Sequence, residues 1–243
     1  MADIAYLLSS VGHGDEEIER RERVANELVP DGDTVRVVTP SNAPLSVEST
    51  VEEQWAAAEL VRSVEAREDE FDAFFVGCFG EPGLAAVREM TRKPVVGSAT
   101  ATFYTAAQVA DRFSVLTILD STEPMVHRQI HEAHLDDRLA SVRVVEAPVL
   151  DIDHSSDSLV EDMITTGRDA VTEDGAEALI PGCMSLSFMQ VHDGIAAELG
   201  VPFLDPVRIG LGTASMWAHW NVTQSSATYP APDRSKLDGL FSS

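Results

Sequence analysis

Short apolar runs alternate with longer amphipathic stretches along the whole chain. The runs "IAYLL", "TVRVVTP", "FDAFFVG", "KPVVG", "RFSVLTIL", "SVRVVEAP", "AEALIPG" and "VPFLDP" are rich in β-branched and aromatic residues and predict strands. Between them, "VEEQWAAAELVRSVEARE", "EPGLAAVREM", "TFYTAAQVA", "PMVHRQIHEAH", "LVEDMITTGRDAVTED" and "FMQVHDGIAAELG" carry their apolar residues at helical spacing. Such alternation predicts an α/β fold: largely parallel sheet, helices on both faces and right-handed crossovers.

The pattern repeats. "DTVRVVTP" at 33–40 echoes "ASVRVVEAP" at 140–148, and "FDAFFVGC" echoes "AEALIPGC" at nearly the same spacing. After each cysteine come a helix and a Pro-led apolar run, at Pro94 and at Pro202. Two similar Rossmann-like or flavodoxin-like lobes are expected, related by pseudo-two-fold symmetry, with a ligand site in the cleft between them. The first lobe takes residues 1–97 plus 206–243 and the second 98–205, because "PVRIGLGTASMWAHW" reads as a helix returning to the first lobe.

Composition narrows the functional classes. The chain has 243 residues, 44% of them apolar, with a mean hydropathy of -0.03. No apolar run approaches the roughly 18 residues that cross a bilayer, and the first residues read directly as a strand, so a cytoplasmic protein is expected. With 41 acidic against 17 basic residues the formal charge is -24, which disfavours nucleic acid and anionic membranes as partners. Lys93 and Lys236 are the only lysines. Dispersed acidity of this kind suits a high-salt medium, where screening over roughly 3 Å at 1 M relieves self-repulsion.

The two cysteines, Cys78 and Cys183, match no disulfide framework and no CxxC pattern, so free thiols are expected. Each stands where a buried strand gives way to a turn and a helix. Ligands of parallel sheets collect at the carboxyl ends of strands, and a helix start lowers a thiol's pKa from about 8.5 toward neutrality. Glu81 and Pro82 suit the first turn after Cys78, and Ser185 or Ser187 suits the cap after Cys183. One thiolate can remove a Cα proton while the other thiol protonates the opposite face, which inverts the stereocentre. The backbone N–H groups of Phe79, Gly80, Met184 and Ser185 are candidate donors to the enolate. The bland alternative is that cysteine, often buried, merely fills space at a strand end.

Three stretches resemble the aspartate/glutamate/hydantoin racemase superfamily, most closely its hydantoin racemase branch: "GCFGEPGLAAVREMTRKPVVG", "DGAEALIPGC" with "LGVPFLDPV", and "TPSNAPLSVES". The resemblance covers nearly the whole chain. It implies two lobes, no cofactor, a homo-oligomer, a small-molecule substrate, and catalytic roles for Cys78 and Cys183. The family's Asn-Pro-Asn turn after the first strand is replaced by Leu8, Ser9 and Ser10. Ser9 and Ser10 are shorter donors in its place, and Met184, Ser185 and Phe188 are bulkier than the family's usual residues there. Ser98 and Thr117, at strand ends, complete the candidate substrate-binding residues. The substrate class implied is a 5-substituted hydantoin or related cyclic ureide. An amino acid racemase, a maleate-type diacid isomerase and a two-lobed binding protein without turnover stay open beside it.

Other signals carry less. His127, His131 and His134 share a helical face, but without HExxH or a nearby cysteine a solvated helix is the simpler reading and no metal is expected. His13 reads as a loop residue, Asp120 and Glu123 as charges at a helix start, and Trp217, His219 and Trp220 as packing. "GCFGEPG" and "GLGTA" fit no phosphate-loop pattern.

Overall fold

A computed structural model describes residues 1–241. They form two compact units, one from residues 1–97 with those from 210 onward, the other from 98–209. Each unit holds a sheet whose strands all run parallel.

The first unit contains β1 (Asp3–Leu7), α1 (Asp15–Glu27), β2 (Thr34–Val38), α2 (Thr50–Arg67), β3 (Ala73–Val76), α3 (Leu84–Met90) and β4 (Val95–Gly97), in strand order β2-β1-β3-β4. Successive side chains of a strand point to opposite faces, and β3 shows the result. Phe74 and Val76 pack with Leu60, Val64 and Val87 of α2 and α3, whereas Phe75 meets Tyr6 edge-on at 5.2 Å between ring centroids. The helix α9 (Pro206–Trp220) brings Gly210 onto Phe75, so closely that a Cβ there would fall 2.1 Å from the ring. Ser49 caps α2: the Glu52 N–H donates to Ser49 Oγ, and the Glu52 carboxylate accepts from the Ser49 hydroxyl and the Glu48 N–H. A short helix, α10 (Asp238–Phe241), follows late in the unit, and Arg62 of α2 donates to the Leu240 carbonyl at 2.6 Å.

The hydropathy pattern does not reveal α1, because "DEEIERRERVANE" is nearly all polar. Two of its polar residues pair with the free edge of β2. Asn26 donates to the Val35 carbonyl at 2.8 Å and accepts from the Val35 N–H at 2.9 Å, and Glu22 accepts from the Val37 N–H. Side chains thus supply the bonds that a further strand would make, which protects the edge. Arg21 is buried as well, and Glu17 neutralises it at 2.6 Å.

The second unit contains α4 (Ser98–Val109), β5 (Phe113–Thr117), α5 (Glu123–Glu132), β6 (Leu139–Val144), α6 (Asp157–Thr172), β7 (Ala178–Pro181), α7 (Met184–Ser187) and α8 (His192–Leu199), in strand order β6-β5-β7. Leu116, Met163, Leu179, Leu186 and Ile195 centre its core, and Phe103 of α4 stacks on Phe113. Two expectations need correction here. "VPFLDP" forms no regular strand: Phe203 bridges Leu179, and Asp205 and Pro206 then open α9. The stretch predicted as a helix from Phe188 is helical only from His192, where α8 starts.

Among the described residues no helix is long and apolar enough to cross a membrane. His127 and His131 lie exposed in α5, paired with Glu123 and Asp136, and His134 lies beyond the helix at φ 56°. His219 does more than pack, since it bonds the buried Asp33 at 2.9 Å.

Candidate active site

Each cysteine leaves its sheet in the same way. Gly77, after β3, donates its N–H to the Leu7 carbonyl at 2.9 Å, and Gly182, after β7, donates to the Leu116 carbonyl at 2.7 Å. Both acceptors belong to an interior strand, β1 in one unit and β5 in the other. The next residue in each case is a cysteine at the carboxyl edge. A Cβ before either cysteine would crowd its neighbours. A Cβ on Gly77 would lie 2.1 Å from the Tyr6 ring, whose hydroxyl donates to the Gly77 carbonyl at 3.2 Å. A Cβ on Gly182 would lie 3.1 Å from the Thr117 Cα. Close backbone packing thus fixes where each cysteine emerges.

Beyond that point the two settings differ. Cys78 is half-buried and begins a turn, in which the Glu81 N–H donates to the Cys78 carbonyl at 2.9 Å. Glu81 and Pro82 are not in the first helical turn as expected: Glu81 has φ 50°, Gly83 is left-handed at φ 67°, and α3 starts at Leu84. The turn carries the Glu81 carboxylate over Gly97, where a Cβ would meet Oε1 at 2.1 Å. Cys183 is buried, has extended backbone and directly precedes the single turn α7. Ser185 and Ser187 lie inside α7, contrary to expectation, and Cys183 itself occupies the capping position.

The remaining candidates distribute over the two units. Ser9 and Ser10 are buried after β1, and the register pairing Leu7 with Val76, continued two residues, brings Ser9 level with Cys78. Phe79 is buried and Gly80 half-buried in the turn after Cys78. Ser98 is fully buried at the first residue of α4, immediately after β4. Thr117 ends β5, and its hydroxyl lies 2.7 Å from that of Thr122. Thr122 donates to the Leu119 carbonyl, so Thr117 donates to Thr122 and keeps only acceptor capacity. Met184 and Ser185 are buried in α7.

One pair escaped the sequence reading. His192 opens α8 with its side chain only 11% exposed, and its Nδ1 lies 3.6 Å from Oδ2 of the buried Asp205. The other carboxylate oxygen of Asp205 accepts from the N–H groups of Val207 and Arg208, which is the capping role that Asp-Pro before an apolar helix signals. Burial pushes the Asp205 carboxyl up, against those bonds and the charges of His192 and Arg208. Nothing near His192 in sequence marks it out. Among the described residues no group of three His, Cys, Asp or Glu is placed to hold a metal ion.

Known proteins share this architecture. The family model for Asp/Glu/Hydantoin racemase matches residues 16–214. The hydantoin racemase of Paenarthrobacter aurescens is 33% identical over 211 residues, 86% of this chain and 89% of that protein. Among solved structures, an allantoin racemase from Klebsiella pneumoniae superposes with a TM-score of 0.90 at 24% identity, covering 99% of both chains. An allantoin racemase from Pseudomonas fluorescens gives 0.88 at 27% identity, over 95% of this chain and 97% of that one.

Proposed function

Because the chain belongs to the Asp/Glu/Hydantoin racemase family, we propose that it racemises a 5-substituted hydantoin or related cyclic ureide, with Cys78 and Cys183 as paired acid and base. The observation that carries this reading is the repeated unit of strand, glycine and cysteine, each glycine bonded to an interior strand of its own sheet. The substrate class rests on the hydantoin and allantoin racemases that the chain resembles.

In the proposed reaction one sulfur, as thiolate, takes the proton from the ring carbon beside the carbonyl. The C–H electron pair moves into the ring as an enolate, and N–H donors at the two strand ends stabilise its oxygen. The second sulfur, as thiol, returns a proton to the opposite face and becomes the thiolate. The enantiomer is converted by the same steps in reverse, so each sulfur serves as both acid and base. The scheme requires the two sulfur atoms to reach opposite faces of one carbon. It uses no cofactor. The buried Ser9 beside Cys78 supports a polar contact to the ureide. A homo-oligomer is part of the same reading, and light scattering measures it.

The test is solvent deuterium incorporation with each enantiomer of a 5-substituted hydantoin and of allantoin. The wild type is expected to label and racemise. Cys78→Ser and Cys183→Ser are each expected to abolish racemisation, while retaining exchange of opposite enantiomers at a reduced rate. Full racemisation by both single variants overturns the two-thiol scheme. Tight binding without deuterium uptake across the panel overturns the enzymatic reading.

A further inference from the structure

His192 is a buried imidazole with both ring nitrogens sealed from solvent, and neither makes a hydrogen bond among the described residues. Carboxylates stand on two sides of it, Asp205 at 3.6 Å from Nδ1 and Asp193 at 3.6 Å from Nε2. Arg208 faces the same group of charges, 4.0 Å from Asp193. Buried polar atoms are nearly always satisfied, and an orphaned imidazole between carboxylates calls for an explanation in charge or proton traffic. Core packing alone does not supply one.

Its place in the fold does. The segment carrying Asp205 runs parallel to β7: the Leu179 N–H donates to the Pro202 carbonyl at 2.9 Å, and the Leu204 N–H donates to the Leu179 carbonyl at 2.8 Å. The bridge pairs Leu179 with Phe203, and that register, continued, sets Asp205 level with Pro181, two residues before Cys183. The His192–Asp205 pair therefore stands at the carboxyl edge of the sheet from which Cys183 emerges. One oxygen of Asp205 is committed to the start of α9, which fixes the carboxylate and turns the other oxygen to the imidazole.

We propose that His192, held by Asp205, is a positioning residue for Cys183: its protonated ring stabilises the Cys183 thiolate and thereby sets the pH range in which this sulfur works as a base. The proposal extends the two-thiol reading above. A cationic imidazole beside a thiolate lowers its pKa, and the carboxylates of Asp205 and Asp193 face the two ring nitrogens. In the turn after Cys78 the titratable side chain is the carboxylate of Glu81.

The test reads the coupling from both ends, in the full-length protein. In a Cys78→Ser background, alkylation of Cys183 by iodoacetamide is followed against pH by mass spectrometry. His192→Gln is expected to raise the midpoint of that profile by about one pH unit. Reciprocally, the C2-proton resonance of His192, assigned by its loss in His192→Gln, is expected to titrate at lower pH in Cys183→Ser than in wild type, since linkage is mutual. Midpoints that agree within error in both experiments overturn the proposal. If His192→Gln does not fold, the resonance is assigned by triple-resonance NMR of the wild type, and Cys183→Ser decides alone. A shifted midpoint in a protein that exchanges no substrate proton would sustain the coupling and reject the racemase reading.

Discussion

Ser215 donates a hydrogen bond to Asp33 at 2.6 Å, tying the start of the second strand to a helix 182 residues later. The Asp33 side chain is 2% exposed and also accepts from the Ala2 N–H at 2.8 Å and from His219. Burial opposes its ionisation, but the bonds from Ser215, Ala2 and His219 together with the His219 charge outweigh it and hold the carboxyl below the usual range. Replacing Asp33 by Ala leaves three donors without their acceptor, a loss of about 2–4 kcal/mol in unfolding free energy measured by urea denaturation.

The same carboxylate gives a pH signature. Its folded-state pKa lies below the unfolded value of about 3.9, so its stabilisation is complete above that value and disappears as pH falls through the folded pKa. Asp33→Asn is therefore expected to lower stability at pH 7 and to flatten the acid limb of the stability curve below about pH 4. A variant whose acid limb stays parallel to wild type contradicts the assignment.

Gly77 and Gly210 press on the two aromatic rings that meet edge-on inside the first unit, Tyr6 and Phe75. An added methyl at either position has to displace a fully buried ring. Gly77→Ala and Gly210→Ala are each expected to cost about 1–3 kcal/mol, read as a fall in melting temperature. Gly212, in the same helix with nothing within 4 Å of a Cβ, is the control, and its Ala variant is expected to melt at or above wild type.

Arg143, on the edge strand β6, gathers three carboxylates: Asp174 at 2.7 Å, Glu173 at 2.8 Å and Asp169 at 3.6 Å. In a chain of net charge -24, Arg143→Gln leaves three like charges in one patch. A loss of about 1 kcal/mol is expected at low ionic strength, shrinking toward zero in 1 M KCl as screening sets in. Wild-type melting temperature should itself rise with KCl. Equal losses at both salt concentrations would contradict an electrostatic origin.

The strands and both cysteine settings were legible because they are local: an apolar run, a glycine and a thiol follow one another in sequence. Elements held by non-local partners were not. α1 looks like a polar loop until Asn26 and Glu22 are seen bonding the edge of β2, which no periodicity reports. The run "VPFLDP" has strand composition, yet the pull of Asp205 and Pro206 toward a helix start leaves it one bridge. Glu81 and Pro82 look like a helical first turn, and the left-handed Gly83 moved the start of α3 to Leu84. His192 needed Asp205, thirteen positions away, to acquire meaning.

The division of the chain into 1–97 with the residues from 210 onward, and 98–209 between them, also orders events during synthesis. The middle segment emerges from the ribosome whole and has every strand of its sheet in hand. The opening segment must wait, with Phe75 and the edge around Asp33 uncovered, until Gly210, Ser215 and His219 have been translated. For that interval the nascent chain carries one finished body and one unfinished one, and a stop codon just before residue 210 leaves the opening unit without these contacts.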